Sequence, residues 1–113
     1  MLNRKYRLTK NSEFQQVYNH GRSFAGSYVV LYVKKNRMEH TRIGFTVSKK
    51  IGKAVERNRI KRIMREICRL NLERFAGGYD LIFVARRKIK GIGYRLVEHE
   101  MGKLCIKAGV WRD

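Results

Sequence analysis

The feature that most constrains the fold is the longest helical pattern in the chain, which covers residues 54–75. Its apolar side chains recur at helical spacing and form one stripe, which consists of Ile60, Ile63, Met64, Ile67 and Leu70. A stripe of this kind has to pack against another element. Gly77 and Gly78 separate it from the next apolar segment. We therefore predict a central helix that packs on a sheet.

Two segments before this helix are predicted to be strands with two distinct faces. β-Branched and aromatic residues dominate Ser27–Lys34. Alternation places one set of its side chains on a common face, namely Tyr28, Val30 and Tyr32. The second segment, Arg42–Ser48, has a face of small residues, namely Gly44, Thr46 and Ser48. These small residues leave room for something else to lie against the sheet.

The segments after the central helix complete an α+β pattern. Tyr79–Ala85 is almost continuously apolar, which is typical of a central strand that is covered on both faces. A last helix is predicted from residue 92 or 94 to residue 107. The order is helix, two or three strands, helix, strand, helix, which indicates helices packed on a small sheet in one domain over residues 1–113.

At the beginning of the chain, residues 1–10 are expected to form an extended basic arm. A short helix is predicted from Ser12 to His20, with Asn11 or Ser12 as its N-cap and Gly21 at its end. Its apolar side chains at i, i+3 and i+4 share one face, and they are Phe14, Val17 and Tyr18.

The charge of the chain narrows the class of partner. Lys and Arg number 27, Asp and Glu number 9, and the net charge is +18. A field of this size destabilises a compact chain unless a polyanion neutralises it, which favours a protein that works bound to nucleic acid. A solubility role and an anionic membrane surface are the alternatives.

Several other classes are excluded by the sequence. No apolar run approaches the ~20 residues of a membrane span, and no apolar region follows the basic N-terminus, as it would in a signal peptide. Cys68 and Cys105 are too few for a disulfide scaffold and lack the spacing of a zinc site. A reducing, cytoplasmic location is the expectation that fits best.

The sequence predicts no catalytic site and no metal site on the protein itself. Its acidic residues are scattered, and Glu98 and Glu100 are two positions apart, so they do not share a helix face. The three histidines fall in different predicted elements, so no acid–base pair is evident; they are His20, His40 and His99.

The central helix is predicted to carry a basic outer face. Its members lie opposite the apolar stripe, and they are Arg57, Asn58, Lys61, Arg62, Arg65 and Arg69. Glu56 and Glu66 fall at its flanks, so the face is expected to be almost unpaired, unlike an ordinary solvated face. Guanidinium groups bind phosphate in bidentate fashion, which favours a surface for the nucleic-acid backbone. Asn58 could contact a base edge or a 2′-hydroxyl, or it could cap a neighbouring loop.

This helix also carries a family resemblance. Arg57-Asn58-Arg59-Ile60-Lys61-Arg62, preceded by Val47-Ser48-Lys49-Lys50-Ile51-Gly52 and Ala54-Val55, resembles the signature of the bacterial ribonuclease P protein family. The similarity covers most of the chain. Its other matching positions are Arg7, Leu8, Phe14, Tyr18, Gly21, Ser23, Gly44, Asp80, Ala85 and Arg86.

The resemblance implies an α-β-β-β-α-β-α fold, similar to a domain of a ribosomal protein, with an unusual left-handed β-α-β crossover around the basic helix. It therefore implies a third strand before the central helix, which the residue pattern alone does not show. It also implies a ribonucleoprotein enzyme that removes the 5′ leader of precursor tRNA. In that enzyme a large RNA and its bound Mg²⁺ perform the hydrolysis. The protein subunit binds this RNA and the leader, raises substrate affinity and broadens the range of substrates. We expect neither a membrane nor an obligate protein as a further partner.

The resemblance also implies two sets of contact residues. Those that would face the catalytic RNA are Lys49, Lys50, Lys53, Arg57, Asn58, Arg59, Lys61, Arg62 and Arg65, to which the outer face adds Arg69. Phe14, Tyr18 and Tyr32 match aromatic positions of a leader-binding cleft. Strand alternation adds four more positions to the expected cleft, namely Tyr28, Val30, Thr46 and Ser48. Aromatic side chains in a positive groove stack on single-stranded RNA, although Phe14 and Tyr18 could instead be core residues.

Other interpretations remain open from sequence alone. A ribosomal-type RNA-binding protein or RNA chaperone, a self-sufficient ribonuclease and a cationic DNA-architectural protein would share the same charge. The basic run over residues 86–90 could be a second RNA contact or a solvated loop.

Overall fold

The structure is a computed structural model that describes residues 2–112. Within this range the chain forms three α-helices and four strands. In chain order they are α1 (Asn11–His20), β1 (Arg22–Ala25), β2 (Val29–Lys35), β3 (Arg42–Thr46), α2 (Ala54–Leu70), β4 (Tyr79–Ala85) and α3 (Tyr94–Ala108). The α-β-β-β-α-β-α order confirms the expected α+β fold. No helix among these residues is long and apolar enough to cross a membrane.

The four strands form one sheet in the order β1-β2-β4-β3. The β1–β2 and β2–β4 pairs are antiparallel, whereas β3 and β4 are parallel neighbours. Parallel neighbours need a crossover connection, and α2 supplies it. Leu81, Ile82 and Phe83 of β4 are fully buried, which confirms that this strand is central and covered on both faces.

Strand β1 is the element that the residue pattern did not show. It has four residues at the edge of the sheet, and only Phe24 among them is half-buried, opposite Leu31 of β2. A short edge strand with a single inward side chain has too little alternation to be recognised locally. The third strand that the family resemblance implied is therefore present.

One face of the sheet packs against α2 and α3 and contains the main core. From the sheet it includes Leu31, Ile43 and Phe83. The two helices add Ile60, Met64, Ile67, Cys68, Val97, Met101, Leu104 and Cys105. The predicted apolar stripe is confirmed except at Leu70, which is 58% exposed because α2 ends there; a 3-10 turn follows at Leu72–Arg74.

Helix α1 packs on the opposite face of the sheet in a smaller core. Val17, Leu8 and Ile82 are buried there, with Phe14 against them. A Cβ atom on Gly44 of β3 would lie 2.5 Å from Cζ of Phe14, so glycine is what lets the ring approach the strand. Helix α1 therefore packs on the small-residue face of β3 at Gly44.

The ends of α1 were only partly predicted. Gly21 ends the helix as expected, and its N–H donates to the Val17 carbonyl at 2.8 Å. The prediction of Asn11 or Ser12 as N-cap is wrong, because Lys10 occupies that position. The helix start is instead held by Glu13, whose Oε1 accepts from the backbone N–H of Lys10 at 3.1 Å.

The segment before α1 is not the simple extended arm that was expected. Residues Arg4–Tyr6 form a 3-10 turn. Leu2 and Leu8 are buried, and the backbone N–H of Leu8 donates to the Ile43 carbonyl at 2.9 Å. Burial of these two leucines docks the segment alongside β3, because leaving them in water would expose apolar surface.

Ion pairs and hydrogen bonds between polar and charged side chains join α1 to the sheet. The Arg42 guanidinium donates to both carboxylate oxygens of Asp80, at 3.0 and 2.8 Å, and to Oε2 of Glu13 at 2.5 Å. Asn36 donates from Nδ2 to Asp80 at 2.8 Å. Burial of the Glu13 carboxylate opposes ionisation, but its hydrogen bonds to the Lys10 backbone and to Arg42 outweigh this and lower its pKa. The network joins α1, β3 and β4 through a nearly buried Asp80.

Candidate nucleic-acid interface

Beside α1 lies a half-exposed patch of the sheet, where the helix does not cover the strands completely. Its floor is formed by neighbouring strands, since Val30 and Thr46 are both paired with Val84 of β4. All three side chains are half-buried. Tyr18 of α1 and Tyr32 of β2 stand beside this floor. We call these five residues the cleft.

The two tyrosines of the cleft are held in a fixed geometry. Their rings meet edge to face, with 4.9 Å between centroids and 89° between planes. The Tyr18 hydroxyl also forms a 2.8 Å hydrogen bond with the Thr46 hydroxyl. Both rings keep part of their surface exposed, which a stacked base requires. Phe14 lies over Gly44 and is half-buried against the smaller core, with 6.5 Å between the centroids of its ring and the Tyr18 ring.

Of the four positions that strand alternation added, Val30 and Thr46 lie in the cleft, whereas Tyr28 and Ser48 do not. Tyr28 precedes β2 and packs against the main core on the α3 side. Ser48 follows the end of β3 and lines a different groove together with Tyr28. Alternation failed because both residues lie outside regular strands. The sequence analysis did not predict Val84 as part of the cleft. The available signal was its position directly after Phe83, because neighbouring residues of a strand lie on opposite faces of the sheet and Phe83 is buried in the main core.

The second surface is the basic face of α2 and the segment that precedes it. Its most exposed members are Lys49, Lys50, Lys53, Asn58, Arg62 and Arg69. Four further members are half-buried, namely Arg57, Arg59, Lys61 and Arg65. Together these residues, which we call the basic face, include every position predicted to contact the catalytic RNA.

Arg57 and Arg65 lie closer to the body of the protein than predicted. The Arg57 side chain donates to the Gly52 carbonyl at 2.8 Å, which fixes the turn before the helix. At 100° per residue, Arg57 is only about 60° from Ile60 at the centre of the apolar stripe. The Arg65 guanidinium lies 6.0 Å from the centroid of the Phe45 ring. Both side chains therefore form the border between the basic face and the core.

The expectation of an almost unpaired outer face holds within residues 2–112, since Arg69 is the only predicted member of that face that forms an ion pair with a carboxylate. Arg59 forms an ion pair with Glu56 at 3.2 Å, and Arg69 forms one with Glu66 at 2.6 Å. The arginine hydrogen bonds lower the pKa of both glutamates. Surface pairs of this type add little stability and can be exchanged for phosphate contacts. Within residues 2–112 the other cations of the basic face form no ion pair with a carboxylate, and they include Lys49, Lys50, Lys53, Lys61 and Arg62.

The carboxylates and thiols of the described residues are dispersed, paired with arginine or buried. No group of three or more His, Cys, Asp or Glu lies together over residues 2–112. Glu13 and Asp80, which do approach each other, are both bound to Arg42. This donor set does not fit Mg²⁺, which needs free carboxylate oxygens. Cys68 and Cys105 are buried, and burial raises the pKa of both thiols, which disfavours the thiolate form.

Known proteins provide an independent comparison. The family model named Ribonuclease P matches residues 2–109. The ribonuclease P protein component of Clostridioides difficile is 43% identical over 110 residues, which cover 96% of each chain. That of Clostridium kluyveri is 45% identical over 109 residues, which cover 95% of this chain and 97% of the relative.

A solved structure agrees with these sequence matches. The RNase P protein of Staphylococcus aureus superposes with a TM-score of 0.88 at 34% identity, and the match covers 95% of this chain and 98% of that one. The sequence signature on α2, the order of elements and the near full-length matches thus lead to one conclusion. The chain belongs to the ribonuclease P protein family.

Proposed function

We propose that this chain is the protein subunit that helps ribonuclease P remove the 5′ leader of precursor tRNA, with the basic face bound to the catalytic RNA and the cleft bound to the leader. The observation that carries the proposal is the position of β3 between the two surfaces. Thr46, at the end of β3, belongs to the cleft, and Lys49 of the basic face follows it by three residues. A strand of RNA in the cleft would therefore lie next to RNA on the basic face.

The cleft is suited to a single strand of variable sequence. Tyr18 and Tyr32 offer aromatic surface, and Val30 and Val84 offer an apolar floor. Stacking tolerates any base because every base has a π-face. A subunit that has to accept many different leaders needs this kind of contact, which also accounts for a broadened substrate range.

The basic face is suited to a phosphate backbone. Its lysines and Arg62 form no ion pair with carboxylates of the described chain. Helix α2 carries Lys61 and Arg62, and the segment that leads into it carries Lys49, Lys50 and Lys53. Asn58 is exposed between these cations and can donate and accept hydrogen bonds to a base edge or a 2′-hydroxyl.

Hydrolysis itself is assigned to the RNA partner in this proposal. Mg²⁺ bound by the RNA would activate the water that releases the leader and leaves a 5′-phosphate on the tRNA. The chain would bind and orient the leader and supply no catalytic side chain. A cytoplasmic location is part of the same proposal, and two buried, reduced cysteines are compatible with it.

The proposal is tested by cleavage of 5′-labelled precursor tRNA at low Mg²⁺ with limiting bacterial ribonuclease P RNA. We expect strong stimulation by the protein, the correct tRNA 5′ end and no cleavage by the protein without RNA. Tight RNA binding without stimulation would favour a ribosomal-type protein or RNA chaperone instead. Cleavage by RNA-free protein would identify a self-sufficient ribonuclease.

A further inference from the structure

A second groove lies at the end of the sheet, next to the cleft and to the segment that leads into α2, with which it shares Lys50. Its volume is about 1340 Å³, and it is bordered by the β1–β2 turn, the segments that follow β3 and β4, and the outward side of α3. Six cationic side chains line it, namely Lys50, Arg86, Arg87, Lys88, Lys103 and Lys107. We call it the end groove. It brings the basic run of residues 86–90, which sequence left ambiguous, next to lysines of α3.

The acidic side chain at this groove does not neutralise these cations. The Glu100 carboxylate accepts hydrogen bonds from the backbone N–H groups of Ser27, Tyr28 and Val29 at 2.7, 2.7 and 2.8 Å. Its charge is therefore used to hold the β1–β2 turn. Among residues 2–112 no ion pair joins a carboxylate to the six cations of the groove. Such a concentration of positive charge needs a polyanion.

The wall of the end groove is preorganised. Arg86 donates from Nη1 to the Gly26 carbonyl at 2.8 Å, and its backbone N–H donates to the Tyr28 carbonyl at 2.8 Å. A Cβ atom on Gly26 would lie only 2.5 Å from Cδ of Glu100, so the turn packs tightly on α3. A groove that is already ordered loses little conformational entropy when a ligand binds.

The end groove continues from the cleft. Val84 and Thr46 of the cleft floor are followed two residues later by Arg86 and Ser48, which line the groove. Tyr28, on the groove wall, precedes Val30 of the floor by two residues. Both sites therefore lie at the same end of the sheet, the cleft on the α1 face and the groove on the α3 side, so a flexible single strand that leaves the cleft there would reach the groove by passing around this end.

We propose that the end groove binds the phosphate backbone of the 5′-ward part of the leader, beyond the nucleotides held in the cleft. This inference rests on the proposed function, because it assumes that the leader occupies the cleft. Leu96 and Ile106, which are 55% and 59% exposed on the groove side of α3, offer apolar contact to bases without reading their edges. The groove thus extends the sequence-tolerant binding of the cleft.

The test measures the affinity of the holoenzyme for precursor tRNAs with leaders of about 4 and about 16 nucleotides, the range of site sizes of single-strand-binding folds. The test variant carries Lys88→Gln, Lys103→Gln and Lys107→Gln, all at exposed positions. For wild type we expect the long leader to bind more tightly. For the variant we expect the long leader to lose this advantage in affinity. The slope of log K against log[salt] should also become shallower by about 2 for the long leader only, because three phosphate contacts to a single strand are lost.

Two controls make the result decisive. The variant with Lys88→Arg, Lys103→Arg and Lys107→Arg keeps the charge and should bind both leaders like wild type. A variant with Lys35→Gln, Arg37→Gln and Arg112→Gln loses the same charge at exposed positions outside the groove and should keep the gain with length.

Other outcomes would overturn the inference. Equal weakening of both leaders and of the catalytic RNA alone would mean that the groove binds the catalytic RNA. An unchanged gain with length in the Lys→Gln variant would mean that the groove does not bind the leader. If wild type bound mature tRNA as tightly as either precursor, the proposed function itself would fail, which is a separate result from failure of the groove.

Discussion

The hydroxyl groups of Tyr18 and Thr46 lie 2.8 Å apart and join helix α1 to the edge strand β3 across the cleft. Because one group belongs to the wall of the cleft and the other to its floor, this bond fixes the distance between them. The Tyr18 ring is also supported by the edge-to-face contact with Tyr32. The aromatic surface to which we assign the leader in the proposed function is therefore held in place by contacts within the protein.

We predict that Tyr18→Ala weakens binding of precursor tRNA by the holoenzyme and leaves binding of mature tRNA almost unchanged. Loss of one base-stacking contact costs about 1–3 kcal/mol, or roughly 5- to 150-fold in Kd. Only the precursor has a leader that can stack on the ring. The measurement is the Kd of both tRNAs at fixed salt and Mg²⁺.

Tyr18→Phe is the matched control, because it keeps the ring and removes only the hydrogen bond to Thr46. We expect it to retain most of the precursor affinity. Equal losses for precursor and mature tRNA with Tyr18→Ala would show that the side chain supports the fold rather than the leader.

For the basic face, we predict a strong salt dependence in the binding of catalytic RNA. Contact with roughly six phosphates gives a slope of about −4 to −5 in log K against log[salt]. Arg62→Gln should reduce the magnitude of that slope by about 0.9, since Arg62 is exposed and forms no ion pair within residues 2–112. Arg37→Gln removes the same charge from an exposed turn and should leave the slope nearly unchanged. If both substitutions changed the slope equally, the RNA would be attracted by the overall positive charge of the protein and not by the basic face.

For the fold, we predict that Asp80→Asn destabilises the protein by about 3 kcal/mol in urea unfolding. The Asp80 side chain is 8% exposed and accepts two hydrogen bonds from Arg42, so the substitution deprives a partly buried guanidinium of its two-point ionic partner. Arg69→Gln, which removes a pair on the surface of α2, should change the stability little. Similar losses for both variants would contradict a special role for the buried network.

Acid stability should depend on Glu13. The folded protein holds its pKa below the ordinary value of 4.5, so the stabilisation is complete above that pH and is lost as the pH falls through the lowered pKa. Glu13→Gln should therefore lower the Tm at neutral pH and make the Tm fall less steeply below about pH 4.5 than in wild type. Glu39 is an exposed carboxylate outside the ion pairs of the described chain, so Glu39→Gln should leave the dependence of the Tm on pH unchanged. If the Tm of wild type and of Glu13→Gln fell equally steeply with decreasing pH, the prediction would be contradicted.

Local chemistry explains what could be predicted from sequence. The apolar stripe of α2, the continuous strand at Tyr79–Ala85 and the stop at Gly21 depend on spacing and residue type within a few turns of chain. The net charge of +18 likewise predicted a polyanionic partner without reference to any contact. The resemblance on the basic helix supplied the family and the third strand.

Tertiary structure decided the features that join distant segments. Edge strand β1 exists because Phe24 finds a place opposite Leu31, and Tyr28 leaves the cleft face because it lies before the strand begins. Glu100 is separated from Ser27 by 73 positions, yet its carboxylate holds the turn that borders the end groove. Periodicity within one segment contains no information about which backbone groups a remote side chain will reach. The sequence thus determined which residues are apolar, aromatic or cationic, and packing decided which of them share a surface.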